Sequence, residues 1–557
     1  MKKLTLNILL SEKKKRVSVE KGTTLLELSV KFVNEYSCTI LGAIYNNEIA
    51  ELSREVGEDG TVEFITISHK DGFLFYLRSM IFVLIKAAKE MFPHAKLRIE
   101  YSIGNGYYCW FDGLEWITAS EVEALEKRMK EIVTADIPFV RKTMPTFEAV
   151  EAFRKSGLDD KVLLFKGRKQ KHTSVYTLGE NIGYFYGYLV PSTSVLKNFK
   201  LTFFKKGIVL LLPDPQNPEN VKAFKESPKF FNIIKENDKW LDILELDTCG
   251  KLNQKIRDGH EKNIVLVSEA LHGKKLAQIA DEIYRRHKVI KAITIAGPSS
   301  SGKTTTANRL LVQLRVNGLK PFLISLDDYF IDRDKTPVGE DGLHDFESIS
   351  AINVPLFNKN LKDLMEGHEV ELPRYDFLTG KSFKSGRKLV FPENGVLIIE
   401  GIHGLNPNLI TDMSNAAIYR IYVSALTALN IDDHNRIPTT DCRMIRRMVR
   451  DVQTRGHDVI ETIKRWPAVR IGEEKNIFPY QENADVMFNS SLVYELGVLK
   501  KYAEPLLKKV PENTPEYLEA KRLLKFLSFF EVFECDSIPP NSIIREFIGE
   551  SVFFEES

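Results

Sequence analysis

The stretch Gly297-Pro-Ser-Ser-Ser-Gly302-Lys303-Thr304 decides the fold of the C-terminal half of this chain. Its spacing, G-x-x-x-x-G-K-[ST], is that of a phosphate-binding loop whose backbone N–H groups wrap a row of phosphates. In such a loop we expect Lys303 to reach the outer phosphates and the Thr304 hydroxyl to hold Mg²⁺. The alternative is a Gly/Ser turn that binds nothing.

The residues on either side of the loop favour the phosphate-binding interpretation. Ile290 to Ile295 form a short apolar run typical of a buried strand, and Thr305 to Val316 follow a helical pattern closed by Asn317-Gly318. The helix N-terminus, with its partial positive charge and unpaired N–H groups, would then face the phosphates. We therefore expect a bound nucleotide and assign eight residues to it: Gly297, Ser299, Ser300, Ser301, Gly302, Lys303, Thr304 and Thr305.

Length and composition are those of a globular chain with several domains. The 557 residues predict roughly three to four domains, and 43% hydrophobic residues with 28% charged residues is ordinary for such proteins. A formal net charge of +2 argues against global steering onto nucleic acid. Five scattered cysteines without C-x-x-C spacing, no signal peptide, and no apolar run of about 18 residues predict a cytoplasmic protein without a membrane span.

Residues 1–68 predict a small β-grasp module. Apolar residues alternate with polar ones in two short runs, Leu4 to Ile8 and Val17 to Val19, which is the pattern of a hairpin. Thr24 and Glu27 have capping-box spacing and open a helix. A hairpin, a helix and returning strands in this order resemble the TGS domain at the start of threonyl-tRNA synthetases.

Residues 69–210 carry three segments that extend this resemblance: Phe92-Pro-His-Ala-Lys96, Ile103-Gly-Asn-Gly-Tyr-Tyr108 and Ser120-Glu-Val-Glu-Ala-Leu-Glu-Lys-Arg-Met129. They are similar to the second domain of threonyl-tRNA synthetases, which in that family edits mischarged tRNA, and the likeness runs from residue 1 to about 205. Four other residues stand where the family has the polar groups of its H-x-x-x-H and C-x-x-x-H signatures: Arg78, Phe82, Phe185 and Leu189. Because Phe and Leu side chains neither bind metal nor transfer protons, we predict an α+β editing-like domain that lacks its chemistry.

Contact with RNA or tRNA through this half is one interpretation of its basic and aromatic residues. The residues concerned surround or follow Gly167: Lys166, Arg168, Lys169, Lys171, Tyr176 and Tyr184. The alternative, which we favour, is that the lysines form a solvated face and the tyrosines belong to the core. Pro213, Pro215 and Pro218 then mark a boundary, and we expect residues 211–287 to be irregular to about Gly250 and helical thereafter.

Two carboxylates stand at the ends of predicted strands in the C-terminal half. Asp327 follows the strand Pro321 to Leu326, and Glu400 ends the buried strand that begins at Val396. Because ligands bind beyond the carboxyl ends of strands in an open α/β sheet, both acids point to the phosphate-binding loop. Asp327 would take a proton from a substrate hydroxyl or bind Mg²⁺, and Glu400 would hold Mg²⁺. For each acid alone, a helix cap or a surface charge is the alternative.

A helix with a basic stripe follows. Arg443, Arg446, Arg447 and Arg450 recur at helical spacing, and apolar residues recur two positions later, so we expect the two stripes to lie on opposite sides. Four arginines without interleaved acids would repel one another unless an anion arrives. This favours a lid that closes over nucleotide phosphates, and a solvated basic face is the alternative.

Six segments now occur in the order and rough spacing of uridine kinases: Gly297 to Thr306, Ser325 to Tyr329, His344 to Phe346, Pro373 to Phe377, Ile399 to Ile402 and Arg446 to Asp458. Uridine kinases belong to the phosphoribulokinase and uridine kinase group of P-loop kinases. The resemblance covers residues 288–495 and implies an α/β domain with a parallel sheet and helices on both faces. It also implies ATP and Mg²⁺, and transfer of the γ-phosphate to the 5′-hydroxyl of uridine, cytidine or a broader nucleoside set.

The resemblance implies a role for each matching position. Asp327 matches the catalytic acid that deprotonates the 5′-hydroxyl, and Thr304 and Glu400 match Mg²⁺ ligands. The other catalytic positions are Lys303, Arg450 and Arg455. The substrate-binding positions comprise the ribose-binding acid, the two aromatic residues that flank the base, a lid arginine and the lid histidine: Asp345, Tyr375, Phe377, Arg447 and His457.

Two departures from the family pattern lie where the base is read. Pyrimidine-specific members commonly have a His three residues after the motif's Phe, where this chain has Gly380, and the family's Arg-Gly-Arg-Asp becomes Arg455-Gly-His457-Asp458. A glycine leaves a larger pocket without a hydrogen-bonding edge, so we expect weaker discrimination among bases or another preferred base.

The sequence therefore predicts a nucleoside kinase behind a TGS-like and an editing-like domain. Residues 496–557 predict helices that pack on the kinase and carry no chemistry. One alternative is a P-loop kinase for another hydroxyl acceptor, such as pantothenate or a sugar phosphate, although the Tyr375 and Phe377 rings favour a flat base. Another is an RNA- or tRNA-binding regulator whose kinase fold senses nucleotide. A homo-oligomer is compatible with the sequence.

Overall fold

The structure is a computed structural model that describes residues 3–10, 13–168, 170–339, 342, 344–427, 429–454 and 456–554. It comprises a small N-terminal sheet, a region with two further sheets, a helical connection and a parallel sheet followed by helices. Within these described residues, no helix is both long and apolar enough to cross a membrane. The domain boundaries given above stay predictions.

The N-terminal sheet has five strands in the order β2-β1-β5-β3-β4. Its elements are β1 (Lys3–Leu9), β2 (Lys14–Glu20), α1 (Leu25–Val30), β3 (Ile40–Tyr45), β4 (Glu48–Ala50) and β5 (Gly60–Thr66). The predicted hairpin is the antiparallel pair β1 and β2. Helix α1 begins at the predicted capping box, because the Thr24 hydroxyl accepts the Glu27 N–H at 3.1 Å and the Glu27 carboxylate accepts the Thr24 N–H at 2.8 Å.

The second region contains two antiparallel sheets, ordered β11-β12-β7-β6 and β10-β9-β8. Its helices are α2 (Lys70–Met91), α3 (Ala119–Thr134), α4 (Thr146–Lys155) and α5 (Asp159–Lys166). Its strands are β6 (Lys96–Ile103), β7 (Gly106–Asp112), β8 (Phe139–Pro145), β9 (His172–Leu178), β10 (Asn181–Gly183), β11 (Lys200–Phe204) and β12 (Gly207–Leu211).

Apolar side chains fill the place that the editing signatures would occupy. Phe82, Phe185 and Leu189 are buried, and the ring centroids of the two phenylalanines lie 5.3 Å apart. The Arg78 guanidinium lies over the Tyr186 ring, 5.2 Å from its centroid. A hydrophobic core therefore replaces the polar groups, as the sequence predicts.

Tyr176 and Tyr184, the two tyrosines considered for base stacking, are also buried. The interpretation of these rings as core residues is thereby confirmed, since a buried ring presents no free face to a base.

A helix occupies part of the connection that the sequence analysis expected to be irregular. The connection contains α6 (Pro228–Leu244), α7 (Cys249–Arg257) and α8 (Glu261–Arg285). Pro228 stands at the start of α6, where a missing N–H costs nothing, and the buried Ile233 and Ile234 join an apolar cluster with Met487 of the C-terminal sheet. The proline-rich segment before α6 masked this helical pattern, and the expectation of irregular chain to Gly250 was wrong.

The C-terminal sheet has five parallel strands in the order β14-β17-β13-β18-β19. Its strands are β13 (Ala292–Ala296), β14 (Lys320–Ser325), β17 (Gly395–Glu400), β18 (Ile418–Ser424) and β19 (Val486–Asn489), and a separate hairpin consists of β15 (Val370–Asp376) and β16 (Lys381–Leu389). The helices are α9 (Lys303–Val316), α10 (Val354–Met365), α11 (Thr439–Thr454), α12 (Val459–Asn476), α13 (Glu495–Leu507), α14 (Tyr517–Leu527) and α15 (Arg545–Ile548). This parallel α/β architecture confirms the predicted fold class.

A buried polar junction joins the second region to the C-terminal sheet. The Lys161 ammonium on α5 is fully buried and lies 3.0 Å from Asp432 Oδ1 and 3.1 Å from Asp160 Oδ2. The Ile99 N–H donates to the Asp433 carbonyl at 2.8 Å. Hydrophobic residues from both sides, including Phe165 and Phe529, belong to one core cluster. The N-terminal half is therefore packed against the C-terminal half.

Candidate active site

The three predicted motifs meet at one edge of the parallel sheet. The phosphate-binding loop follows β13, Glu400 is the last residue of β17, and Asp327 lies two residues beyond the end of β14. The strand register places Glu400 opposite Ile295 and Ser325. Because all these strand ends face the same way, the structure brings together the predicted phosphate, metal and proton-transfer groups.

Glu400 lies in an environment that opposes its charge. It is 5% exposed, and its Oε1 accepts a hydrogen bond from the Ser325 hydroxyl at 2.8 Å. Burial, together with the negative charge of Asp327, raises the pKa of Glu400 to about 7, although Lys303 acts in the opposite direction. Asp327 and Glu400 are two carboxylates that repel each other, and such hard oxygen donors fit Mg²⁺. These two residues therefore suit the metal role predicted for them, and that of Thr304 stays a prediction.

Among the described residues, one group of three acidic or histidine side chains has its ligand atoms within 4.8 Å of one another: Asp363, Glu366 and His368. This group lies at the end of α10 and near the surface. Exposed acidic groups commonly exist without a metal, so we assign it no role.

The phosphate-binding loop has the backbone conformation that its sequence demands. A Cβ at Gly297 would lie 1.9 Å from the Val423 carbonyl oxygen, so only glycine fits there. Gly302, with φ of +80°, turns the chain into α9. The Lys303 ammonium donates to the Pro298 carbonyl across the loop at 3.2 Å. The hydroxyl oxygens of Ser300 and Ser301 are buried without a hydrogen-bond partner among the described residues, and the Ser301 N–H donates to the Pro298 carbonyl at 3.2 Å.

Two residues, one in the loop and one in the first turn of α9, already donate hydrogen bonds to carboxylates of the chain. The Ser299 N–H donates to Glu473 Oε1 on α12 at 3.1 Å. The Thr305 N–H and hydroxyl both donate to Glu546 Oε2, at 3.2 Å and 2.6 Å. Glu546 belongs to the short helix α15, in the segment that the sequence analysis expected to carry no chemistry. The contact was not predictable from the sequence, because Glu546 lies 241 residues from Thr305 and no motif surrounds it.

The arginine stripe of α11 divides into two buried and two partly buried residues. Arg443 and Arg446 are fully buried and pair with Glu473 and Glu495. The Arg443 Nη2 lies 2.8 Å from Glu473 Oε2. These two arginines therefore do not belong to an exposed basic face. Carboxylates of α12 and α13 are their anionic partners.

The other two arginines of α11 remain near the loop. Arg447 Nη1 donates to the Ser299 hydroxyl at 3.0 Å, and its Nε donates to Asp451 at 3.2 Å. Arg450 donates to the same Asp451 carboxylate at 2.9 Å. Arg447 therefore contacts the loop directly, and Arg450 shares its carboxylate partner; their role as lid arginines stays a prediction. Arg455 lies outside the described residues, so its predicted role stays untested.

The predicted base-binding residues form an aromatic corner. Tyr375 is 5% exposed and Phe377 is 50% exposed, with ring centroids 5.1 Å apart and planes at 80°. Phe330 completes the corner, 5.5 Å from Tyr375 and 6.2 Å from Phe377. The half-exposed Phe377 ring can therefore stack on a base, whereas the Tyr375 ring is buried beside it. His457 lies in the connection between α11 and α12, with its Nδ1 2.8 Å from Glu461 Oε2.

Arg333 fills the space that Gly380 was expected to leave open. Gly380 has φ of +70°, and a Cβ there would lie 2.7 Å from Arg333 Nε. Arg333 also donates from Nη2 to the Phe377 carbonyl at 2.5 Å. The Arg333 side chain therefore occupies the space where a side chain at position 380 would begin. The expectation of an empty space beside Gly380 was wrong. Arg333 lies 47 residues earlier in the chain, so the motif around Gly380 could not indicate it.

Sequence reasoning missed two buried polar groups near Asp345, the predicted ribose-binding acid. Asp345 Oδ1 accepts the Glu347 N–H at 3.1 Å, and Glu347 Oε2 is buried without a partner in the described part of the chain. Burial, together with the charges of Glu473 and Asp327, raises the pKa of Glu347 to about 7. The positive charges of Arg447 and Lys303 act in the opposite direction. The second group is His403. Both residues lie within three positions of a motif named in the sequence analysis, and this proximity was the only sign in the sequence that they belong near the site.

Comparisons with known proteins divide the chain in the same way. Residues 292–495 match the model of the phosphoribulokinase / uridine kinase family. The N-terminal half matches threonine--tRNA ligases: that of Desulforamulus reducens is 34% identical over 181 residues, and ligase 1 of Bacillus subtilis is 33% identical over 182 residues. Each match covers 32% of this chain, and the chain spans only 28% of the length of each ligase.

A solved structure described as a possible uridine kinase from Bacillus stearothermophilus is 20% identical, covers 39% of this chain and all of its own, and has a TM-score of 0.26. The family match confirms the resemblance on which the C-terminal motifs were interpreted, and the ligase matches confirm the resemblance of the N-terminal half. Residues 292–495, the part of the chain that holds the site, therefore match the phosphoribulokinase and uridine kinase family, behind an N-terminal half similar to threonine--tRNA ligases.

Proposed function

We propose that this protein is an ATP- and Mg²⁺-dependent kinase that transfers the γ-phosphate to the 5′-hydroxyl of a nucleoside, with uridine and cytidine as the first candidates. The observation that carries the proposal is the convergence of the phosphate-binding loop, Asp327 and Glu400 at one sheet edge. The family matched by residues 292–495 supports the reaction class.

The residues at this edge divide the work of phosphoryl transfer. Lys303 and the loop N–H groups bind the phosphates, and Thr304, Glu400 and Asp327 hold Mg²⁺. Mg²⁺ supplies charge neutralisation between the phosphates when it is bound. Asp327 takes the proton of the 5′-hydroxyl as its oxygen forms a bond to the γ-phosphorus and the bond to the β-phosphate oxygen breaks. Arg450 and Lys303 stabilise the charge on the transferring group, and we assign Arg455 to the same role.

The aromatic corner supports a nucleoside as the acceptor. Phe377 offers an exposed ring face for a base, with Tyr375 behind it, and Asp345 offers a carboxylate to ribose hydroxyls. Arg447 lies on α11 and His457 follows that helix, and we assign both to a lid that covers the substrate. Arg333 beside Gly380 supplies a donor edge that suits a carbonyl oxygen of a pyrimidine.

Another hydroxyl acceptor, such as pantothenate or a sugar phosphate, is the closest alternative within the same class, because the phosphate and metal groups would serve it equally. A turnover assay decides between them. We would measure ATP consumption with uridine, cytidine, adenosine, guanosine, inosine, thymidine, ribulose 5-phosphate and pantothenate. Asp327→Asn should abolish turnover, whereas Asp412→Asn, an exposed site, should leave it unchanged. Absence of turnover with every nucleoside would overturn the proposal.

The N-terminal half suggests a second role, contact with tRNA or another RNA. The specific observation is its similarity to threonine--tRNA ligases. Filter binding of tRNA at two salt concentrations tests this role, since contacts with phosphates weaken steeply with salt. No retention at low salt would exclude it.

A further inference from the structure

His403 is a buried imidazole at the sheet edge that holds the site, near the Ser348 backbone but without a hydrogen bond of normal geometry in the described part of the chain. It follows Glu400 by three residues, in the loop after β17, and is 1% exposed. In the described part of the chain, neither Nδ1 nor Nε2 has a hydrogen-bond partner. A buried polar group left unpaired costs about 1–3 kcal/mol, so such a group at a ligand site indicates a missing partner.

The environment of His403 sets its protonation state. Burial lowers the pKa of His403 to about 4, although the Ser348 backbone and the Asp345 carboxylate act in the opposite direction. The ring is therefore neutral near pH 7 and offers one N–H donor and one nitrogen acceptor. A neutral imidazole of this kind recognises a hydroxyl group well, because a hydroxyl both donates and accepts.

The loop that carries His403 has little freedom to turn the ring away. Gly404, the next residue, is pressed against β13, since a Cβ there would lie 3.3 Å from the Ala296 Cβ. The His403 carbonyl accepts the Asn406 N–H at 2.9 Å, which closes the loop as a turn. The ring is thus held beside the segment that carries Asp345 and Ser348.

We propose that His403 is a specificity-determining residue that hydrogen-bonds a sugar hydroxyl of the acceptor, together with Asp345. The inference rests on the proposed function, because it names the ribose of a nucleoside as the group that is read. Its consequence is selection of ribonucleosides over analogues that lack one ring hydroxyl.

The test combines variants of His403 with substrate analogues. We would measure kcat/KM for the best nucleoside and for its 2′-deoxy and 3′-deoxy analogues, in the full chain and in His403→Leu and His403→Gln. The wild type should disfavour at least one analogue about 10-fold or more. In His403→Leu, kcat/KM should fall about 10-fold for the ribonucleoside and little for that analogue, and the KM for ATP should not change. His403→Gln, which keeps a donor and an acceptor, should recover part of the loss.

His287→Leu is the matched control, because this partly buried histidine lies just beyond the end of α8, outside the site motifs, and stacks on Tyr284 with 5.0 Å between ring centroids. Equal loss on all three substrates in His403→Leu, or no discrimination by the wild type, overturns the inference and leaves the kinase assignment standing. No turnover of any nucleoside by the wild type overturns both. If His403→Leu does not fold, as judged by thermal melting, His403→Gln and the wild-type discrimination decide the matter.

Discussion

Glu546 accepts two hydrogen bonds from Thr305, one from the backbone N–H at 3.2 Å and one from the hydroxyl at 2.6 Å. Thr305 is the third residue of α9, and its N–H is one of the orphan donors at a helix N-terminus that favour an anion. The neighbouring Ile543 packs against Gly302, where a Cβ would lie 2.8 Å from its Cγ2. A carboxylate of the C-terminal segment therefore stands at donors that a nucleotide phosphate would use.

We expect Glu546→Gln to lower the KM for ATP about 3- to 10-fold, because loss of the negative charge removes repulsion of the phosphates at the helix N-terminus. Glutamine keeps the length and an acceptor oxygen, so the packing of α15 should survive. Steady-state kinetics at varied ATP concentration measure the change. Glu550→Gln, an exposed position in the same segment, should have no effect. A higher KM in Glu546→Gln would show that the carboxylate assists ATP binding instead.

The features of the structure that the sequence predicted are those whose residues lie close together along the chain. The phosphate-binding loop, the capping box of Thr24 and the acids at strand ends each depend on residues within a few positions of one another. Local geometry follows from such spacing because the backbone of a strand, turn or helix fixes where neighbouring side chains point.

The parts that the sequence could not predict depend on contacts across the fold. Arg443 meets Glu473 thirty residues later, and Arg333 meets Gly380 across 47 residues. A stripe of arginines has the same sequence pattern whether its anionic partner is a nucleotide or a carboxylate of another helix. Only the packing of α12 and α13 on α11 decides between them.

Substitution of Arg443 should therefore mainly lower stability, whereas substitution of Arg447 should mainly lower kcat. Arg443→Met leaves the fully buried Glu473 with less compensation, and we expect a loss of about 3–5 kcal/mol in the free energy of unfolding. Arg447→Met leaves Asp451 paired with Arg450, so we expect less than about 1 kcal/mol of destabilisation but at least a 10-fold fall in kcat. Urea unfolding and steady-state kinetics on both variants check the split. A folded Arg443→Met with full stability would contradict it.

Glu347 should make the stability of the protein depend on pH. Its pKa is raised to about 7 by burial, above the value of about 4.3 in an unfolded chain, so the folded protein binds the extra proton between these values. The stabilising contribution is present below the unfolded pKa and is lost as pH rises through about 7. Glu347→Gln lacks this titration, so its stability relative to the wild type should increase from pH 5 to pH 8.

The expected gain for Glu347→Gln at pH 8 is about 1–3 kcal/mol, measured by urea unfolding without nucleotide at both pH values. Glu369→Gln, an exposed residue paired with Lys388 at 2.7 Å, is the control and should show no such trend. A difference between Glu347→Gln and the wild type that stays constant with pH would contradict the prediction.

Lys161 should couple the stability of the two halves of the chain. Its ammonium pairs with Asp432, which is also fully buried, so Lys161→Met leaves an uncompensated charge and should cost about 3–5 kcal/mol in urea unfolding. Lys166→Met, on the exposed side of the same helix, should cost less than about 0.5 kcal/mol. Adding Asp432→Asn to Lys161→Met should restore much of the loss, because the amide oxygen still accepts the backbone N–H groups of His434 and Asn435 without a buried charge. If Lys161→Met unfolds like its control, the charged pair contributes nothing to the junction, and the shared apolar core alone holds the halves together.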